Sequence, residues 1–146
     1  MTDIMASIGL VQLDRYPKLL ERRVELVEQY NKAFEGTRVV PLIHYTDAYK
    51  SSGHLYITHV KGATYEQRGE IITKMAERGI SCNVHYKPLP LLTAYSNLGF
   101  DIEDYPNAYD YFVNEVTLPL HTRLSDEDVK AVSYTHLRAH ETDSYL

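Results

Sequence analysis

Apolar positions open the chain. Ile4, Ile8, Val11 and Leu13 recur near helical spacing, with small Ala6, Ser7 and Gly9 between them. Thr2 suits the N-cap of this helix, and Asp3 suits its first turn, where the helix dipole favours a carboxylate. A helix this apolar cannot stand in water alone, so it is expected to pack against something larger. Pro17 fits the first turn of a second helix that runs to about residue 35. Leu20, Val24, Val27 and Phe34 line one side of it, with Leu26, Tyr30 and Ala33 beside them. Gly36 is a natural C-terminal stop.

The period then changes. Val39, Val40, Leu42 and Ile43 form an extended segment, and Ser51-Ser-Gly53 a loop. Residues 54–60 alternate, with Leu55, Ile57 and His59 against Tyr56, Thr58 and Val60, and this predicts a strand. Thr64 and Gln67 form a capping box for a third helix, whose apolar positions are Ile71, Ile72, Met75 and Ala76. Gly79 ends it. Residues 80–86 are expected to form the next strand, 93–98 and 106–113 short helices, and 116–120 a third strand. Pro119 places that last strand at an edge or at its own end. Ser125 opens a final helix with another capping box. There is no internal repeat and no regular βαβ alternation. The expected fold is α+β: a short antiparallel sheet with helices on one face, preceded by two helices.

A chain of 146 residues forms one ordinary domain and can bury a real core. A net charge of -5 and a pI near 5.8 argue against a nucleic-acid surface. The densest basic patch, Arg22 with Arg23, is flanked by Glu21 and Glu25 and reads as a solvated helix face. No run approaches the ~20 apolar residues of a membrane span, and the N-terminus lacks the pattern of a signal peptide. The single Cys82 cannot form an internal disulfide, which fits the cytoplasm. Thirteen tyrosines without a tryptophan suit pocket walls and subunit contacts, because tyrosine has an apolar body and a polar tip.

The C-terminal string Val132-Ser-Tyr-Thr-His-Leu-Arg-Ala-His-Glu-Thr142 breaks the apolar pattern of the last helix. It matches one reading frame of a transposon-type sequencing adapter. Residues 132–146 are therefore expected to be a non-native read-through tail. His136 and His140 have the i, i+4 spacing of a metal pair, but in such a tail this carries no weight.

The richest chemistry lies in Gly79-Ile-Ser-Cys-Asn-Val-His-Tyr-Lys-Pro-Leu-Pro90. Here an apolar run opens into a loop bearing Asn83, His85, Tyr86 and Lys87, stiffened by two prolines. Polar and aromatic groups on a stiff loop suit a pocket wall. His85 could serve as acid/base or as a hydrogen-bonding group for a substrate. It could equally be a strand-end histidine that satisfies a backbone carbonyl, and the residues alone favour that plainer role. Asn83 could be a turn residue. His54 and His121 read as structural, and Cys82 as a small buried hydrophobe. His54 and His59 are expected on opposite strand faces, unable to share a metal. No phosphate loop, dinucleotide fingerprint or nucleophile elbow is present.

Five sets of motifs in register carry a resemblance. They are Met1-Thr-Asp-Ile-Met-Ala-Ser-Ile-Gly-Leu-Val-Gln-Leu13; Leu20-Glu-Arg-Arg23 with Tyr30-Asn31; Ser52-Gly-His-Leu-Tyr56; Arg78-Gly-Ile80 with Val84-His-Tyr-Lys-Pro-Leu89; and Leu118-Pro-Leu-His121 with Leu124-Ser-Asp-Glu-Asp128. Over residues 1–131 the chain resembles the DegT/DnrJ/StrS family of pyridoxal-phosphate-dependent nucleotide-sugar aminotransferases. The resemblance implies the small C-terminal domain of an aspartate-aminotransferase-type enzyme (fold type I). Residues 1–36 would link to a large domain that precedes Met1, and residues 37–131 would form the small domain.

The resemblance also implies what this chain lacks. The family's Schiff-base lysine and its other cofactor contacts lie upstream, so no catalytic or cofactor-binding residue is expected here. None of Lys18, Lys32, Lys50, Lys61, Lys74, Lys87 or Lys130 sits in the family's lysine motif. The parent would use pyridoxal 5'-phosphate to aminate a nucleotide-linked keto-sugar, with glutamate as donor, in the making of surface polysaccharides or related glycans. It would be a cytoplasmic homodimer with no nucleic-acid or membrane partner. Asn83, His85 and Tyr86, followed by His54 and Tyr56, are the substrate-side candidates that the resemblance carries over. The competing expectation is a free-standing module that binds a sugar nucleotide or a partner without catalysis. Such a module should not expose Ile4, Ile8 and Val11. A stand-alone metal or redox protein fits poorly with one cysteine and scattered histidines.

Overall fold

A computed structural model describes residues 1–133. One long helix, α1 (Asp3–Phe34), leads into β1 (Val39–Pro41), β2 (Tyr56–Val60) and α2 (Tyr65–Glu77). The short helices α3 (Thr93–Ser96) and α4 (Pro106–Val113) follow, then β3 (Glu115–Leu118) and α5 (Asp126–Lys130). The three strands form one antiparallel sheet in the order β1-β2-β3, with Val39 opposite Val60 and Tyr56 opposite Leu118. The expected α+β fold is the one observed.

The caps fall where the side chains dictate. The Thr2 hydroxyl accepts from the Met5 amide. Thr64 with Gln67 and Ser125 with Asp128 form complete capping boxes, each satisfying two amides that would otherwise lack partners. Gly36 and Gly79 follow α1 and α2 in the left-handed conformation that glycine tolerates best.

The two expected N-terminal helices are in fact one helix of 32 residues, with Pro17 inside it. Proline gives no N–H to the preceding turn, which costs about 3 kcal/mol or more in a helix interior. Here residues 11–18 are all exposed, so water can take the Leu13 carbonyl that Pro17 leaves free. Packing of the second half then holds the helix together. Leu26, Val27, Tyr30, Ala33 and Phe34 are buried, whereas Ile4, Ile8, Val11 and Leu13 are all more than half exposed.

Tyr56, Thr58 and Val60 point to one sheet face and join Val39, Val116 and Leu118 there. That face carries the core, closed by the second half of α1, Ile71 and Met75 of α2, and Val129 and Val132 at the C-terminal end. The Tyr30 and Tyr56 rings stack at 4.7 Å. The Tyr30 hydroxyl donates to the Pro119 carbonyl at 3.0 Å, and the Tyr56 hydroxyl to Asn31 Oδ1 at 2.9 Å. Arg22 and Arg23, expected to be a solvated face, are tethers. Arg23 Nη1 donates to the Gly53 carbonyl at 3.0 Å, while Arg22 binds the Leu124 carbonyl and the Asp126 carboxylate. Their guanidinium forks reach carbonyls that the ends of other segments leave free. Gly53 (φ 60°) permits this approach, since a Cβ there would lie 3.2 Å from Arg23 Cβ.

Residues 80–86 do not form the expected strand. Asn83 makes a single antiparallel bridge to Thr117, with Asn83 N to Thr117 O at 3.1 Å and Thr117 N to Asn83 O at 2.8 Å. The ladder stops there because the Glu115 side chain captures the next amide that would join it: His85 N donates to Glu115 Oε2, while Val84 N, which faces away from β3, donates to Asn83 Oδ1. The His85–Tyr86 peptide bond is cis. Val132 packs in the core and the Ser133 hydroxyl donates to the Val129 carbonyl. The rest of the segment expected to be non-native, with His136 and His140, lies outside the described residues.

The two halves of α1 should behave differently. In amide hydrogen exchange, the turn around Ile8 should exchange orders of magnitude faster than the turn around Tyr30, because protection follows packing. Leu26→Ala should cost about 2–5 kcal/mol of stability and Ile4→Ala under about 0.5. Equal protection of both halves would contradict this division.

Candidate functional site

The second face of the sheet is polar at one end. Strand alternation puts Ile57, His59, Glu115 and Thr117 on it, opposite the core face, with His59 across from Glu115 and Ile57 across from Thr117. Glu115 is 1% exposed and Thr117 5%. The Thr117 hydroxyl donates to Glu115 Oε1 in a short hydrogen bond. The other carboxylate oxygen accepts the His85 amide at 2.9 Å, and His85 Nδ1 lies 2.9 Å from Thr117 Oγ1. The Tyr86 ring stands edge-on to the His85 ring at 4.6 Å and is 73% exposed. Beside this group, His59 Nδ1 contacts Asn114 Oδ1 at 2.9 Å and its ring meets Tyr111 edge-on. Burial, and next the charge of Glu115, push the Tyr111 phenol above its usual value.

The site is thus a buried carboxylate wired through a hydroxyl to a half-exposed imidazole, with an exposed phenol next to it. Beyond Tyr86, the loop runs into an apolar hollow of about 310 Å³ lined by Pro88, Leu89, Pro90, Tyr95, Phe100 and Tyr105 among others. Such a surface offers hydrogen bonds at one end and ring faces at the other.

The five carried-over candidates do not all gather here. Asn83, His85 and Tyr86 share the loop that crosses β3. Asn83 is held by its backbone bridge, and its side chain turns back to Val84. No hydrogen bond or ring contact joins His54 or Tyr56 to them. His54 is exposed in the loop before β2. Tyr56 has no exposed surface and lies on the opposite face of the sheet, so in this structure it is a core residue. The strand that was expected to hold His54 begins only at Tyr56. His54 and His59 therefore do not share an element, and no metal-binding cluster of His, Cys, Asp and Glu occurs among the described residues.

Glu115 and Thr117 were not among the candidates. The signal was present, since a glutamate two residues from a threonine in an otherwise apolar strand must share its face. Lys18, Lys32, Lys50, Lys61, Lys74, Lys87 and Lys130 are all exposed. No helix among the described residues is long and apolar enough to cross a membrane.

The sequence profile of the DegT/DnrJ/EryC1/StrS aminotransferase family matches residues 1–135. The chain is 31% identical over 144 residues to the UDP-4-amino-4,6-dideoxy-N-acetyl-beta-L-altrosamine transaminase of Helicobacter pylori, covering 97% of this chain and 38% of that protein. It is 34% identical to the spore coat polysaccharide biosynthesis protein SpsC of Bacillus subtilis, covering 90% of this chain and 35% of that one. Among solved structures, the Streptococcus pneumoniae protein Spr1654, described as a sugar aminotransferase and solved in its PMP form, superposes with a TM-score of 0.93 at 59% identity. That match covers 97% of this chain and 36% of Spr1654. The fold is therefore that of the C-terminal α+β part of sugar aminotransferases of fold type I. The chain belongs to the DegT/DnrJ/EryC1/StrS aminotransferase family. It spans a little over a third of the length of these relatives.

Cys82 packs against the core, and burial pushes its thiol up to about 11. At pH 8 this lowers the thiolate fraction by roughly two orders of magnitude from that of a free cysteine. The intrinsic nucleophilicity gained with the higher pKa returns about one order, so alkylation should be on the order of tenfold slower in the folded chain than in the unfolded one. Equal alkylation rates in iodoacetamide time courses with and without denaturant would show that Cys82 is not held this way.

Proposed function

We propose that this chain is the C-terminal part of a pyridoxal-phosphate-dependent aminotransferase that aminates a nucleotide-linked keto-sugar, with glutamate as amino donor. Residues 1–36 link it to a preceding large domain, and residues 37–131 form the small domain. The observation that carries this reading is the match to Spr1654 over nearly the whole chain, at 59% identity. The exposed row of Ile4, Ile8, Val11 and Leu13 supports it, since apolar surface of that extent calls for a covering partner. The cofactor, which acts as electron sink in transamination, would be held outside this chain. The parent would be a cytoplasmic homodimer, and the aminated sugar would feed polysaccharide or glycan synthesis.

In this reading His85 and Tyr86 wall the substrate side of the parent's active site, with Asn83 shaping their loop. An imidazole, a phenol and an apolar hollow together suit a polyhydroxylated ligand that carries a flat base. The fragment alone would bind part of the substrate and catalyse nothing. His54 lies further along the same substrate-side proposal, and Tyr56 would act only by supporting the core beneath it.

The test is to read the genomic DNA upstream of Met1 in frame. An open frame encoding a Schiff-base lysine, and a product that converts glutamate to 2-oxoglutarate with a nucleotide keto-sugar, are the expected results. A stop codon with a ribosome-binding site immediately before Met1 would leave the free-standing binding module instead. In the parent, His85→Ala should raise KM for the nucleotide sugar about tenfold, the scale of one lost hydrogen bond. An equal rise in KM for glutamate would remove His85 from the sugar side.

A further inference from the structure

The hydrogen bonds around Glu115 leave the His85 ring one arrangement. An ionised carboxylate only accepts, and a threonine hydroxyl has a single proton. That proton goes to Glu115 Oε1, while Glu115 Oε2 takes the His85 amide. Thr117 Oγ1 can then only accept from His85 Nδ1, 2.9 Å away. An Nδ1 lone pair in that position would face the oxygen's own lone pairs. With Glu115 1% and Thr117 5% exposed, water does not offer an alternative partner. His85 Nε2 has no hydrogen-bond partner among the described residues and belongs to a half-exposed ring beside Tyr86.

We propose that Glu115, acting through the Thr117 hydroxyl, is a positioning residue that holds His85 as the Nδ1–H tautomer, so that Nε2 is an acceptor for a hydroxyl of the sugar substrate. The substrate half of this statement rests on the reading under Proposed function, whereas the tautomer rests on the hydrogen bonds alone. The placement of Glu115 is costly for a merely structural residue. No cation pairs with it among the described residues, and an apolar side chain in a buried strand would avoid the desolvation of a carboxylate. What the carboxylate supplies in return is direction. It fixes the polarity of the Thr117 hydroxyl and, by its second oxygen, the backbone of the loop that carries the ring. The arrangement resembles the way an outer carboxylate sets the tautomer of a metal-bound or catalytic histidine, with a hydroxyl inserted between.

The experiment reads the tautomer in the polypeptide as its gene encodes it, labelled with 15N-histidine, by two-bond 1H–15N correlation above the imidazole titration. The His85 signal is the one lost in His85→Asn. The expected result is a pyrrole-type Nδ1 and a pyridine-type Nε2. Glu115→Gln should reverse this. The glutamine carbonyl must take the His85 amide, so its NH2 donates to Thr117, whose proton then turns to His85 Nδ1. Thr117→Ser should keep the original tautomer, and Thr117→Val should release it to a mixture. An Nε2–H tautomer in the unmodified protein overturns the proposal. So does a Glu115→Gln variant that keeps the original tautomer.

The tautomer is measured without substrate or cofactor, so it stands or falls apart from the activity of the parent. In a transaminating parent, Glu115→Gln should raise KM for the nucleotide sugar about tenfold, as an acceptor becomes a donor. A reversed tautomer with an unchanged KM would overturn the substrate role assigned to Nε2. A parent that shows no transamination would instead defeat the reading under Proposed function and leave the tautomer result intact.

Discussion

The docking of α1 onto the sheet through Tyr30 and Tyr56 is the contact on which the rest of the structure depends. A three-stranded sheet has one face to bury and no second sheet to bury it against. The second half of α1 supplies that cover. Phe34 and His44 extend the ring stack on either side of the tyrosine pair. Each tyrosine hydroxyl is then satisfied by a different element, Tyr30 by the end of β3 and Tyr56 by α1 itself. A phenylalanine pair could provide the same area but not the same register. Burial raises both phenols well above their usual values, so both remain donors throughout the ordinary pH range.

Once the core face is closed, the opposite face is free to be polar. Alternation forces Glu115 and Thr117 to that side whenever Val116 and Leu118 face the core. A fourth strand would ordinarily extend along β3. Here the Glu115 carboxylate takes the amide that a strand residue would have used, and the 80s segment leaves the sheet after one bridge. The departure of the chain and the construction of the site are therefore one event. The prolines at 88 and 90 keep the loop from returning to the ladder.

Most of the architecture could be read from the residues. Capping boxes, the alternation of β2 and the glycine stops are local signals, and local signals survive folding. The departures share a different cause. Pro17 was expected to begin a helix because propensity counts the missing N–H. The helix continues because the freed carbonyl faces water and distant packing holds the second half. The run from Ile80 to Tyr86 has strand composition, and a single side chain thirty residues away interrupts it. Arg22 and Arg23 looked like a solvated face because their partners, Leu124, Asp126 and Gly53, are remote in sequence. Of the site, the loop residues Asn83, His85 and Tyr86 were visible as chemistry, while Glu115 and Thr117 were visible only as an anomaly in an apolar strand. Tyr56 was drawn toward the site by its motif, and its alternation with Thr58 and Val60 places it in the core.

The continuity of α1 ties its exposed N-terminal half to the buried core. Its exposed first half and its buried second half belong to one rod, so a partner that covered Ile4, Ile8 and Val11 would be rigidly tied to the sheet through Tyr30 and Tyr56. A break at Pro17 would have left a hinge there, with the His85 loop free to drift relative to the covering partner. An unbroken helix would instead fix the loop's distance from such a partner to within the bending of one helix. For a site whose reacting groups would come from two parts of a polypeptide, that stiffness matters as much as the chemistry of the loop, because a misplacement of about 1 Å can cost a hundredfold in rate. Under the proposed function, the helix would be the frame that aims a half-exposed imidazole on one domain at chemistry held by another.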